Sequence, residues 1–202
     1  MSIAFIGIAL IAGISAALIR RNAAALPELA TGAYIDPNRV LPDFSLIDAQ
    51  GRTFGLAQLR GHWSMMFFGY TNCPDFCPTT LTTLAALEKR LRAEAAPVRP
   101  QVIFTSVDAA RDTPAQLAKY VPYFDPEFIG LTAASQSDVA AVASKLGAVV
   151  VLTPKPDGTY TVDHSGAIFV LDPEAKLAAV LTGPFTVADL DSDFRRIVAG
   201  HR

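Results

Sequence analysis

The chain has 202 residues, 51% of them apolar, and a formal net charge of −2. This is one domain's worth of chain with ample material for a core, and it has no basic excess with which to track phosphates, which argues against nucleic acid as a partner. Two cysteines and three histidines are too few for a disulfide scaffold or a zinc finger, so any cysteine chemistry must come from the pair itself, helped at most by a histidine or a carboxylate.

Residues 2–19, SIAFIGIALIAGISAALI, carry no charge. Eighteen residues at a helical rise span roughly 27 Å, close to the hydrocarbon thickness of a bilayer. Residues 1–21 are therefore predicted to form one N-terminal transmembrane helix that acts as a membrane anchor. Ala23-Ala24-Ala25 offers a small-residue cleavage site, but the run is long for a signal sequence and no Lys or Arg precedes it, which favours an uncleaved anchor. Arg20 and Arg21 follow the run, and the positive-inside rule alone would put the rest of the chain in the cytoplasm. Residues 22–39 are rich in Ala, Pro and Gly without sustained periodicity and read as a linker. Residues 40–202 form the folded domain.

Within that domain FSLID and RTFGL flank a turn at Ala49-Gln50-Gly51 and predict a hairpin. WSMMFFGY, residues 63–70, is a continuous apolar run that suits a buried strand. Leu81, Leu84, Leu87 and Leu91 form a helical stripe, with Pro78 suited to the first helical position. QVIFTSVD is the next strand, PAQLAKYVPYF a short helix opened by Pro114, and FIGLT another strand. Ser135 with Asp138 makes a capping box, closed by Gly147. VVVL and TYTVD flank a Pro-Lys-Pro-Asp-Gly turn. AIFVLD and LAAVLT form a second hairpin, and Thr186 with Asp189 caps a last helix. Strands alternating with helices predict an α/β fold with helices on both faces of a central sheet.

The chemistry concentrates in FFGYTNCPDFCP, residues 67–78. If Cys73 to Cys77 follow a helical turn, the two side chains share a face, about 6 Å apart at Cα, within disulfide reach. The helix start favours thiolates there. A disulfide closing so short a loop gains little chain entropy, and Pro74, Asp75 and Pro78 make the segment a surface turn, so neither a staple nor a buried apolar pair suits it. Two thiolates can hold a soft monovalent ion, and an added imidazole suits copper. His201 is penultimate and expected to fray. His62 lies in a turn before the strand. His164 precedes the apolar strand AIFVLD, at a strand mouth where sites are assembled; by itself it is either a ligand or a turn residue satisfied by its own backbone.

Three motifs, GYTNCPDFCP at 69–78, SVDAARDTP at 106–114 and VDHSGAIFVLDP at 162–173, resemble the Sco/SenC/PrrC family of membrane-tethered copper proteins. The resemblance implies a thioredoxin-like central mixed sheet flanked by helices. It implies that Cys73 and Cys77 are copper thiolates and a redox pair, with His164 the third ligand to Cu(I) or Cu(II). Asp163, beside the ligand, is expected to accept a bond from the imidazole and set its tautomer. Asp75 is expected to shape the turn or the local field. Asp108, Arg111 and Asp112 match the family's D-x-x-x-D-T-P stretch in the second motif, where Asp112 or Thr113 is expected to cap the helix that Pro114 opens.

The implied task is that of a metallochaperone for the binuclear copper centre of cytochrome c oxidase. Its partners would be the oxidase's copper-bearing subunit, an upstream copper donor and the membrane. The domain would lie on the periplasmic side, against the sign of Arg20 and Arg21. The competing reading is a thiol–disulfide oxidoreductase that reduces the cysteines of that subunit, although thioredoxins use C-x-x-C rather than C-x-x-x-C. Peroxide reduction would call for a threonine three residues before a lone cysteine, and Tyr70 stands there.

Overall fold

The computed structural model describes residues 26–36 and 41–201. Three parallel strands lie at its centre: β4 (Ser64–Gly69), β5 (Gln101–Ser106) and β6 (Ile129–Thr132). Antiparallel strands extend them on both sides. β9 (Ala167–Leu171), β10 (Leu177–Thr182) and β1 (Gly32–Tyr34) follow β4, while β2 (Leu46–Asp48) and β3 (Thr53–Phe54) follow β6. The result is an eight-stranded mixed sheet in the order β1-β10-β9-β4-β5-β6-β2-β3.

The run 64–69 is wholly buried because it is covered on both faces. Met65 and Phe67 join one core cluster and Met66 and Phe68 the other, as the period of two in a strand requires. The first cluster is roofed by α2 (Phe76–Ala93), α3 (Pro114–Tyr120) and α5 (Val187–Gly200), through Leu81, Leu84, Leu87, Leu91, Leu117, Leu190 and Phe194. The second is roofed by α1 (Leu56–Leu59) and α4 (Gln136–Leu146), through Leu59, Val139, Val142 and Leu146. Helices therefore flank a mixed sheet on both faces, as predicted.

The predicted caps form. Ser135 bonds the amide and carboxylate of Asp138, Thr186 does the same for Asp189, and Gly147 closes α4 at φ 85°. One expectation shifts: α2 begins at Phe76, so Pro78 is its third residue rather than its first. Its missing N–H still costs nothing, because the first four amides of a helix have no partner within it.

Residues 29–34, inside the segment expected as a linker, are packed against the domain. Leu29 joins the core. The amides of Ala30 and Thr31 and the Thr31 hydroxyl donate to the buried Asp193 carboxylate at 2.7–2.8 Å. β1 then pairs with β10. A three-residue strand is too short to display alternation, so the sequence carries no signal for it. The predicted transmembrane segment, 1–21, lies outside the described residues. Among the described residues no helix is long and apolar enough to cross a membrane.

One hairpin stands apart from the main sheet. β7 (Val150–Pro154) and β8 (Tyr160–His164) pair only with each other, from Val150↔His164 to Pro154↔Tyr160. The Asp157 side chain accepts from Thr159 in the turn, and Gly158 takes φ 79° there. Val162 is the hairpin's one buried residue.

Candidate metal centre

Strand β4 ends at Gly69 and the chain turns through Tyr70, whose carbonyl accepts the Cys73 amide at 3.2 Å. The helix α2 starts three residues later, so Cys73 sits in the loop and Cys77 in the first helical turn. The Cys77 amide, one of the unpaired donors of the helix start, donates to the Cys73 Sγ at 3.4 Å. On the far side, β8 ends at His164, whose Nε2 is 3.5 Å from the Cys77 Sγ. Both cysteines are free. The two sulfurs and one imidazole nitrogen lie within 4.8 Å of one another. A metal bonded to sulfur at about 2.3 Å in a trigonal site separates its ligands by about 4 Å, so this donor set fits one ion with little movement. Cys77 is buried while Cys73 and His164 are half-buried, which leaves one side of the site open.

The imidazole's tautomer follows from its other nitrogen. Nδ1 is 3.1 Å from the Ser165 carbonyl. A carbonyl can only accept, so Nδ1 carries the proton and the Nε2 lone pair faces the sulfurs. Asp163 does not play this part. Successive side chains of a strand point to opposite faces, and Asp163 is exposed opposite Val151. Its negative charge does favour protonation of His164, but burial of the ring outweighs it and lowers the histidine's pKa. The neutral form, the one that can bind a metal, is thereby favoured.

The Cys77 thiol departs from expectation. Burial, joined by the neighbouring Cys73, pushes the Cys77 thiol well above its ordinary value. The helix start does not make it a thiolate, because Cys77 is sealed among Gly69, Phe104 and the leucines of α2. An incoming ion must displace that proton. Asp75 occupies the N-cap of α2 with its side chain exposed; its carbonyl accepts the Thr79 amide, and no side-chain cap forms.

The motif at 106–114 divides its labour. Thr113 caps α3, accepting from the Gln116 amide. Asp112, the other candidate for that cap, instead accepts from the Thr71 amide (2.8 Å), the Thr71 hydroxyl (2.7 Å) and the Ser106 hydroxyl (2.6 Å), and so ties the cysteine loop to the end of β5.

Sequence reasoning missed the aromatic wall. The rings of Phe67, Tyr70 and Phe76 stand 6.2, 5.9 and 6.4 Å from His164. Phe76 is 42% exposed, and a side chain at Gly166 would meet its ring at 2.6 Å. Its place between two cysteines, in an otherwise polar turn, was the available signal.

The other histidines stay away. His62 is exposed and lines a cleft with Asp48, Gln101 and Phe128, at the opposite end of β5 from the cysteines. His201 is not a frayed end: its ring packs on Trp63 at 5.0 Å and lies 3.8 Å from Asp172 and 3.1 Å from Glu174. One Asp172 oxygen is already engaged by the amides of Glu174 and Lys176 in the β9–β10 turn, and the trio ties the end of α5 to that turn.

The profile of the SCO1/SenC family matches residues 32–199. The mitochondrial SCO2 homolog of Bos taurus is 36% identical over 161 residues, 79% of this chain and 60% of its own length. Arabidopsis thaliana ScoI, in a crystal structure with copper bound, aligns with TM-score 0.74 and 32% identity over 80% of this chain and 99% of its own. BsSco, described with a disulfide switch and as a member of the Sco family of cytochrome c oxidase assembly proteins, aligns with TM-score 0.64 and 28% identity, over 83% of this chain and 99% of its own. The fold is thus thioredoxin-like, and this chain belongs to the SCO1/SenC family.

Proposed function

We propose that the protein is a copper carrier for the binuclear copper centre of cytochrome c oxidase, taking one copper ion as cargo on Cys73, Cys77 and His164. The observation that carries the reading is the convergence of two thiols and a correctly oriented imidazole nitrogen within 4.8 Å. Soft sulfur with imidazole suits copper, and a relative with the same fold has been seen with copper bound. Three ligands leave Cu(I) accessible from the open side, where a thiolate of the acceptor subunit can join before a ligand of this chain departs. Loading releases at least the Cys77 proton, so binding weakens as pH falls. Asp75 shapes the cysteine loop, and Asp163 modulates the charge beside His164. Residues 1–21 would anchor the domain to the membrane, with residues 22–28 joining it to the fold and the site on the periplasmic side.

A second reading rests on the reduced pair itself. The dithiol can reduce a disulfide in the acceptor subunit: two S–H bonds here become one S–S bond, while the acceptor's S–S becomes two thiols, with two electrons and two protons passing across. The disulfide switch described for BsSco favours this chemistry. The Cys77–His164 contact favours the carrier, because an imidazole nitrogen aimed at two thiols is more useful as a third metal ligand than in disulfide exchange.

The deciding experiment is a competition titration of Cu(I) into the reduced full chain in detergent, beside His164→Ala. One tight equivalent in the first, with a loss of about a hundredfold or more in the variant and unchanged circular dichroism, supports the carrier. Equal binding in both moves the assignment to the reductase.

A further inference from the structure

The hairpin that delivers His164 is a sheet of its own, with one buried residue, and isolated two-stranded hairpins are marginal in water. Its position against the cysteines must be fixed from outside. At the end of β8 away from His164 stands Tyr160, four residues earlier and so on the same face of the strand. Its hydroxyl donates to Asp108 Oδ1 at 2.6 Å. The Arg111 guanidinium lies 4.2 Å above its ring, a cation–π distance. Arg111 also donates through Nε to Asp108 Oδ2. The Asp108 carboxylate, fully buried, thus has both oxygens engaged. The same guanidinium lies 5.9 Å from the ring of Tyr70, one of the aromatic neighbours of His164.

Both halves of the site meet in this one turn after β5. Asp112 grips the cysteine loop through Thr71, and Asp108, with Arg111, grips the histidine hairpin through Tyr160. The turn is itself closed by the amides of Arg111 and Asp112 on the Asp108 carbonyl. We infer that Asp108, Arg111 and Tyr160 are positioning residues: they latch the β7–β8 hairpin and thereby set the distance from His164 to the two sulfurs. They touch no cargo. The effect of the Tyr160 bond on a bound ion passes through His164.

This inference rests on the copper reading for one of its two tests and is independent of it for the other. Tyr160→Phe removes the latch hydrogen bond and keeps the ring under Arg111, so the fold survives. In the metal-free reduced full chain, amide hydrogen exchange should speed up across 150–164 and stay unchanged in α2. Cu(I) affinity should fall about tenfold, as expected for a lost hydrogen bond to a buried carboxylate. In the His164→Ala background the same change should have no further effect, since neither residue would then act on the ion. Unchanged exchange in the hairpin overturns the latch. So does a tenfold loss that persists without His164, which would mean that Tyr160 acts on the cysteines or on the fold as a whole. If the wild-type chain binds no Cu(I), the carrier reading fails, and the exchange experiment still decides the latch.

Discussion

Cys77 belongs to a helix of eighteen residues whose leucine stripe is closed to solvent, while His164 ends a hairpin of two five-residue strands with a single buried side chain. Both supply a donor to the same point. Cys77 is part of the main core, and Cys73, in the loop before the helix, packs against it. The imidazole is held by hydrogen bonds, aromatic edges and one buried valine. An ion that must be both kept and released gains from that division: two ligands stay preorganised, and the third sits on the element that costs least to displace.

The comparison breaks first at its strong half. Phe67 is fully buried and its ring meets Phe76, Phe104 and His164. Phe67→Ala should cost about 3–5 kcal/mol of stability, read by urea unfolding. Val162→Ala, the corresponding truncation in the hairpin, should cost about 1–2 kcal/mol. Equal costs would mean that the hairpin is as integral as the central sheet and that the asymmetry of support is wrong.

Gly69→Ala tests the join between strand and sulfur. A Cβ there would lie 2.7 Å from the Phe104 ring and 2.9 Å from the Cys77 Sγ. Overpacking of this kind costs about 1–3 kcal/mol, and the sulfur must move to relieve it. The expected result is weaker Cu(I) binding that persists in the His164→Ala background, in contrast to Tyr160→Phe, whose effect should vanish there. An unaltered affinity would show that the cysteine half can adjust after all.

The same asymmetry decides what could be read from the sequence. The central strands and α2 were legible because burial on two faces writes long apolar runs and a leucine stripe into the chain. The cysteine pair was legible for a similar local reason, since its spacing and its place after a strand are contiguous. The histidine needed the family resemblance, because nothing local distinguishes a ligand from a turn residue at 164. What remained hidden depends on contacts between distant segments. Ser165, not Asp163, orients the ring because of strand alternation beside a chain turn. Burial rather than the helix start governs the Cys77 proton, and burial is a property of the finished fold. Thr31 with Asp193, and Tyr160 with Asp108, join residues 162 and 52 positions apart, and no periodicity predicts such pairs.

The smallest effect, and the finest test of the hairpin's role, concerns acid. Burial lowers the folded-state pKa of His164 below its ordinary value, against the opposing pull of the Ser165 carbonyl and the Asp163 charge. The unfolded chain, with a histidine pKa near about 6.5, then binds more protons than the folded chain in the window between the two values. Stability of the metal-free protein should therefore be fully present above about pH 6.5 and decline as pH falls through that value, until the folded-state pKa is reached and the decline from this group stops. His164→Ala should flatten that part of the profile. If Tyr160→Phe frees the hairpin to open, the ring gains water, its pKa moves back toward the ordinary value, and the same part of the profile should flatten without any change at His164 itself. A profile for Tyr160→Phe that matches wild type would mean that the ring stays buried when its strand is unlatched, and that the aromatic wall of Phe67, Tyr70 and Phe76, rather than the latch, holds the imidazole in place.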